Sequence, residues 1–389
     1  MTDKPHFLIK NKSQKYDSSR GGFLFIDLLT PDILSDVCER ITGTTEYTYE
    51  FDDTGYNKGR MAKLVYKGKV SYISFSDHKV YGRNQSFQSV PTALMSYYED
   101  ENPNKQMFFY FLPSSGEYET EYHYFMYRIM LTTGIEFINQ NAYLEQPIDP
   151  FISVDDIIST RMINKGRNKS NNSSYVTKSK NHIVQIYGKT YGASKYETAL
   201  ICIALSNITQ NHIELYQIRE RNLDEIPARI ANYLRSLGNI SIYKTDIRME
   251  RNEFERTDDL RSPRYIFNLL AIHGPKKCVL CGCEIPELVQ GTHIWPVSAI
   301  KHEPGLTLDE KIAYATDGSN GLWMCENHHK LFDEDILKIE TTGYIIHSSD
   351  MASENASFIK WSTPNMRLLP YILTDSFLMY LEMRYNHYQ

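Results

Sequence analysis

The sequence predicts an α+β protein: a mixed α/β N-terminal region followed by a small, metal-stabilised C-terminal module. Three observations lead there. Strand-like and helix-like apolar patterns alternate through roughly the first 245 residues. A charge-dense stretch between Tyr243 and Ser262 is poor in core residues. Beyond it, Cys278-Val-Leu-Cys281 is answered much later by Cys325-Glu-Asn-His328, two half-sites with the spacing of a tetrahedral zinc centre.

The elements follow in chain order. Thr30 followed by Pro31 marks a helix start, with the hydroxyl as N-cap and proline at the first helical position. Ala62–Tyr66 and Val70–Phe75 are strand-like and joined by Lys-Gly-Lys, as in a hairpin. Met107–Leu112 is aromatic and apolar, as a buried strand is. Glu119–Leu131 has helical spacing and stops at Thr132-Thr-Gly134. His182–Tyr187 and His212–Ile218 are expected strands on either side of a largely buried helix, Ser194–Ser206. Asn222–Leu237 is an expected amphipathic helix closed by Gly238. Ser262-Pro263 opens a helix that runs to Gly274. The expected domains are residues 1–245, with a split near 157–180 open; 246–274 as a linker and helix; and 275–389.

Composition sets limits. A chain of 389 residues is long enough for two or three folded units. No apolar run approaches the ~20 residues that span a bilayer. The opening Met-Thr-Asp-Lys-Pro-His has no apolar signal core, so a cytoplasmic location is expected. Net charge is −6, so any nucleic-acid contact must come from local patches. One patch stands out. Ile157 to Tyr196 contains no Asp or Glu, yet carries Arg161, Lys165, Arg167, Lys169, Lys178 and Lys180. Its polar centre, Asn164–Ser174, predicts a loop with a basic rim able to meet phosphates, or simply a solvated one. Tyrosine is frequent, with 29 residues, and serves either interfaces or half-buried strands.

Four of the six cysteines crowd between 278 and 325. Cys278, Cys281, Cys325 and His328 are the expected zinc ligands, with Cys283 a rival for one place. Cys38 and Cys202 sit in apolar helical contexts and are expected core residues. Threaded between and after the zinc half-sites are Thr292-His293-Ile-Trp-Pro296, Asn320-Gly-Leu-Trp-Met and His329. A neutral histidine near its usual pKa suits the base that activates water for phosphodiester hydrolysis. A second histidine suits a divalent cation that stabilises phosphate charge.

Over roughly residues 275–350 this arrangement resembles the HNH, or ββα-metal, endonuclease family. The resemblance implies that His293, in its His-x-x-Pro context, is the general base on the first strand of a hairpin. It implies that Asn320 orients the hairpin loop, and that His329, on a short helix, holds the catalytic cation, magnesium or a similar ion. Thr292 departs from the family pattern, which often places an acidic metal ligand there. Asp333, one helical turn beyond His329, supplies a carboxylate to the cation or orients His329; Asp317 is a weaker candidate. The tail Leu331-Phe-Asp333 with a hairpin-like Ile336–Ser348 is similar to one subgroup of the family.

A second nuclease core is set aside: Glu214-Leu-Tyr216 offers tyrosine where a PD-(D/E)xK site needs lysine. The reading that results is a sequence-specific double-stranded DNA endonuclease, type II restriction-like, with zinc structural and magnesium catalytic. Two scissile strands and one site per chain suggest a homodimer. A modification-dependent or nicking HNH nuclease, or an inactive zinc-containing DNA-binding protein, are the alternatives.

Overall fold

The computed structural model describes residues 4–10, 29–52, 61–76, 90–113, 120–163, 174–190, 194–218, 225–245, 247–257, 260–349 and 351–386. It is a mixed α/β protein with several sheets. The chain forms two compact units. One comprises residues 1–160, 190–210 and 224–240; the other comprises 161–189, 211–223 and 241–389.

The first unit carries a six-stranded sheet. Its strands are β1 (His6–Lys10), β2 (Thr48–Asp52), β3 (Met61–Tyr66), β4 (Lys69–Phe75), β5 (Lys105–Tyr110) and β6 (Glu136–Phe137), in the order β2-β1-β3-β4-β5-β6. The β3–β4 turn puts Lys67 at φ 47° and Gly68 at φ 76°, the left-handed pair of a tight hairpin. β3 runs against its neighbours, while β1/β2, β4/β5 and β5/β6 pair in parallel. Helix α1 (Pro31–Thr42) starts as expected, with the Thr30 hydroxyl accepting from the Ile33 amide, and it buries Leu34, Val37 and Cys38. The other helices of the unit are α2 (Val90–Glu99), α3 (Glu121–Thr132), α4 (Val154–Ile163), α5 (Ser194–Ile208) and α6 (Ala228–Ser236). Among the described residues α6 begins only at Ala228, inside the expected Asn222–Leu237, of which residues 222–224 lie outside the described residues. Pro227 stands at its N-cap with extended backbone, and a proline disfavours helix in the residue before it.

The second unit opens with a four-stranded sheet, β7 (Ser174–Lys178), β8 (Val184–Lys189), β9 (Ile213–Ile218) and β10 (Ile240–Lys244), in the order β10-β9-β8-β7. The charge-dense stretch is a helix, α7 (Ile247–Arg256), anchored by buried Phe254 and by buried Glu250, which pairs with Arg264 at 3.3 Å. α8 (Pro263–His273) begins at the Ser262 cap, as the Ser-Pro pair predicts. After it come the hairpin β11 (Val289–His293) and β12 (Gly321–Cys325), whose connection holds α9 (Val297–His302) and α10 (Leu308–Thr316). α11 (Glu326–Asp333), the expected hairpin β13 (Leu337–Ile339)/β14 (Ile345–His347), α12 (Ser353–Ser362) and α13 (Asp375–Asn386) complete the chain. One apolar cluster joins Tyr175 and Tyr187 of the sheet to α8, the β11–β12 hairpin and α13. No helix among the described residues is long and apolar enough to cross a membrane.

Candidate nuclease site and zinc centre

The zinc half-sites meet where the hairpin ends. Cys278 and Cys281 come from the knuckle after α8. Cys325 closes β12, and His328 lies in the first turn of α11. The knuckle closes through two backbone bonds, Gly282 N to Cys278 O and Cys278 N to Cys283 O, both 2.8 Å. Gly282 sits at φ 72°, a conformation L side chains resist.

The four ligand atoms lie within 4.8 Å of one another. Cys281 Sγ is 3.8 Å from Cys325 Sγ, and Cys278 Sγ is 3.6 Å from His328 Nδ1. Bond lengths of about 2.3 Å to sulfur and about 2.0–2.1 Å to nitrogen give tetrahedral S···S and S···N edges of about 3.8 and about 3.6 Å. Cys325 Sγ to His328 Nδ1, at 3.1 Å, is the one shorter edge. The donor set therefore fits a zinc ion. His328 Nε2 lies 3.1 Å from Thr363 Oγ1, which leaves Nδ1 facing the thiols. Burial works to raise the Cys278 thiol, but hydrogen bonds from His328 and from the amides of the knuckle and Cys325 hold it down to about 6. Burial pushes the Cys281 thiol up to about 12. Cys283 contributes its carbonyl to the knuckle and stands outside the cluster.

His293 ends β11 opposite Gly321. Its Nε2 is 2.9 Å from the Ala315 carbonyl, which only accepts, so Nε2 carries the proton and Nδ1 is the basic nitrogen. The ring stacks on Tyr265 of α8, centroids 4.1 Å apart and planes within 10°. Glycine faces the same tyrosine across the hairpin: a Cβ at Gly321 would overlap the Tyr265 hydroxyl.

Asn320 is fully buried, and its side chain makes three hydrogen bonds. Its Oδ1 accepts from Trp295 N at 2.7 Å, and its Nδ2 donates to the carbonyls of Trp295 and Tyr314 at 3.1 Å each. Its own carbonyl accepts from Ile294 N at 3.0 Å. The residues immediately after His293 are thus pinned to the approach of β12. Asp317 acts as a cap, accepting from Ser319 N at 2.8 Å and from the Tyr380 hydroxyl at 2.8 Å.

On α11, His329 is held at both nitrogens. Gln290 Nε2 donates to Nδ1 at 2.6 Å, and Nε2 faces Asp333 Oδ2 at 3.1 Å. Arg261 donates in turn to Gln290 Oε1. Alternation along β11 puts Thr292 on the same strand face as Gln290. Its buried hydroxyl has no hydrogen-bond partner among the described residues. The His329 imidazole and the Asp333 carboxylate offer a nitrogen and an oxygen donor of the kind that a divalent cation takes.

Sequence reasoning missed several supports. Gln290 and Tyr265 are among them, and so is Arg384 of α13. Arg384 is fully buried, donating to Ile294 O at 3.3 Å and to Phe332 O at 2.6 Å while pairing with Asp335 at 3.3 Å. It ties the strand of His293 to the helix of His329 across 90 residues of sequence. No local pattern marks such a residue.

The basic patch divides. Arg161 is buried, 1% exposed, with Nε donating to the Ser174 carbonyl at 3.0 Å. It is a packing residue, not a surface charge. Lys178 is half-buried on β7 and Lys180 is exposed in the turn beyond it. Lys165, Arg167 and Lys169 lie outside the described residues.

Residues 278–340 match the family model described as HNH endonuclease. The match takes in the whole Cys₃His cluster together with His293, Asn320, His329 and Asp333. It supports nuclease, and hence hydrolase, activity and implies DNA as the substrate. No curated protein shows a match to the chain.

Proposed function

We propose that this protein is a sequence-specific double-stranded DNA endonuclease of the restriction type, with His293 as general base and one divalent cation at His329. The observation that carries the reading is the hydrogen bond between His293 Nε2 and the Ala315 carbonyl. The Ala315 carbonyl holds the proton on Nε2, so Nδ1 is the ring nitrogen able to take one from water. Proton transfer to Nδ1 yields hydroxide, which attacks phosphorus. The bond to the 3′ oxygen breaks and that oxygen takes a proton from solvent, leaving a 5′-phosphate and a 3′-hydroxyl. Tyr265 and Asn320 hold the imidazole and its loop in place. His329 and Asp333 are the residues that would hold the cation. When bound, the cation neutralises charge on the phosphate and the leaving oxygen. Cys278, Cys281, Cys325 and His328 would hold zinc, which closes the module as a structural centre.

Under the same proposal residues 1–245 select the site, two copies act on the two strands, and the setting is cytoplasmic. A modification-dependent or nicking enzyme is a variant of the same chemistry. A different reading, a zinc-stabilised DNA-binding protein without catalysis, is favoured by Thr292 alone.

Incubating the zinc-loaded chain with methylated and unmethylated plasmid, with and without magnesium, tests these readings. Discrete fragments in one methylation state, dependent on magnesium, are expected. DNA bound but uncut under every condition, with metal content intact, would leave only the binding reading.

A further inference from the structure

Three neighbouring strands of the four-stranded sheet carry tyrosine at one register position, and the fourth carries a tyrosine that stacks on the row. Tyr175 pairs with Tyr187 across β7 and β8, and Tyr187 pairs with Tyr216 across β8 and β9. Tyr243 continues the row on β10, the edge strand. Cross-strand neighbours on one face lie about 5 Å apart, so such a row lines the rings up. Tyr187 and Tyr216 stack with centroids 5.0 Å apart and planes within 10°; Tyr216 and Tyr243 stack at 5.1 Å and 19°.

Burial falls steadily along the row. Tyr175 is 2% exposed against Phe267 of α8, Tyr187 is 5% exposed, and Tyr243 at the far end is 43% exposed. The carboxylate on this face is engaged internally. Glu214 Oε2 accepts from the Gln185 amide at 2.8 Å and from the Tyr216 hydroxyl at 2.9 Å.

A ring stacked on one side and exposed on an edge strand is the end of an unfinished stack. A planar aromatic heterocycle extends it. We propose that Tyr243 is a stacking site for an unpaired base of a DNA strand, with Tyr216 and Tyr187 as its backing. The class of ligand rests on the nuclease reading above. The site requires a base outside the double helix, because a paired base has both faces covered by its neighbours. It is indifferent to base identity, since every base has a π-face.

The experiment uses the zinc-loaded full chain without magnesium. Its probes are two duplexes of one sequence, one fully paired and one with a single bulged 2-aminopurine. The wild type is expected to quench the bulged 2-aminopurine and to bind that duplex roughly 5- to 100-fold more tightly than the paired one. Tyr243→Leu should abolish the quenching and the preference while leaving affinity for the paired duplex unchanged. Tyr243→Phe should keep both, because the ring and not the hydroxyl does the stacking. Equal quenching and affinity in the wild type and Tyr243→Leu would overturn the proposal, whether or not plasmid is cut with magnesium. A Tyr243-dependent bulge preference in a protein that never cuts plasmid would uphold the stacking site and sink the nuclease reading alone.

Discussion

Replacing Asn320 by alanine removes one side chain and strands three backbone groups. Trp295 N is deprived of a 2.7 Å acceptor, and the carbonyls of Trp295 and Tyr314 are each deprived of a 3.1 Å donor. Asn320 itself has no exposed surface, so water does not readily replace it. With each stranded buried group costing about 1–3 kcal/mol and some relaxation of the loop, a destabilisation of about 3–5 kcal/mol is expected. In a unit of this size that corresponds to a melting point lower by roughly 6–20 °C. The catalytic effect runs through position: with the loop after His293 unpinned, cleavage should fall by about 10²–10⁴, approaching removal of the base itself. Asn320→Asp separates geometry from shape. It keeps the acceptor for Trp295 N but turns an anionic oxygen toward two carbonyls, so it should be at least as damaging as alanine. The assay is plasmid cleavage under single-turnover conditions beside thermal melting and zinc content, which should stay at the wild-type level. Wild-type melting and turnover in Asn320→Ala would refute the account of the loop. Full activity in Asn320→Asp would refute the role given to the amide donors.

The remaining predictions concern the metal, the base, the clamp and the basic loop. Cys278→Ser with Cys325→Ser should abolish stoichiometric zinc and unfold the C-terminal module. Binding displaces the protons of thiols that burial holds protonated, such as Cys281 at about 12, so zinc affinity should rise with pH and weaken on acidification, with protons released on loading; pH-independent affinity would contradict the thiolate set. His293→Ala should slow cleavage by about 10²–10⁴ with DNA affinity and zinc unchanged, and near-normal turnover would remove it as the base. Arg384→Met keeps the apolar packing on Phe332 but strands the Ile294 and Phe332 carbonyls and Asp335; about 3–5 kcal/mol of destabilisation is expected, read by denaturant melting, and a neutral outcome would show the clamp to be dispensable. Lys165, Arg167 and Lys169 changed to Gln should weaken binding to all sequences alike and flatten the salt dependence by roughly one log–log unit for each phosphate that is no longer neutralised. Arg161→Gln should instead lower stability, because its guanidinium is buried against Ser174.

What the sequence determined by itself is local. The caps at Thr30 and Ser262 are where a hydroxyl precedes Pro, because a cap bond spans only three residues. The zinc ligands are legible for a similar reason: two donors three residues apart can face one ion from a single turn. Motif order then points to His293, Asn320 and His329 as candidates, and Asn320 bonds to the loop after His293. Periodicity over-extends the Asn222–Leu237 helix because the apolar spacing runs through Pro227, where the backbone restriction wins.

Tertiary structure alone decided the rest. The choice of Cys281 over Cys283 depends on where the knuckle turns relative to β12. The basic nitrogen of His293 depends on the carbonyl of Ala315, the orientation of His328 on Thr363, and that of His329 on Gln290. Arg161 is a packing residue because of the strand that follows it, though composition puts it in a basic loop. Such pairs join residues far apart in sequence. Their energies come from burial and hydrogen bonding that exist only once the sheet, α8 and the hairpin have closed around them, so no periodicity or spacing in the chain carries their signal.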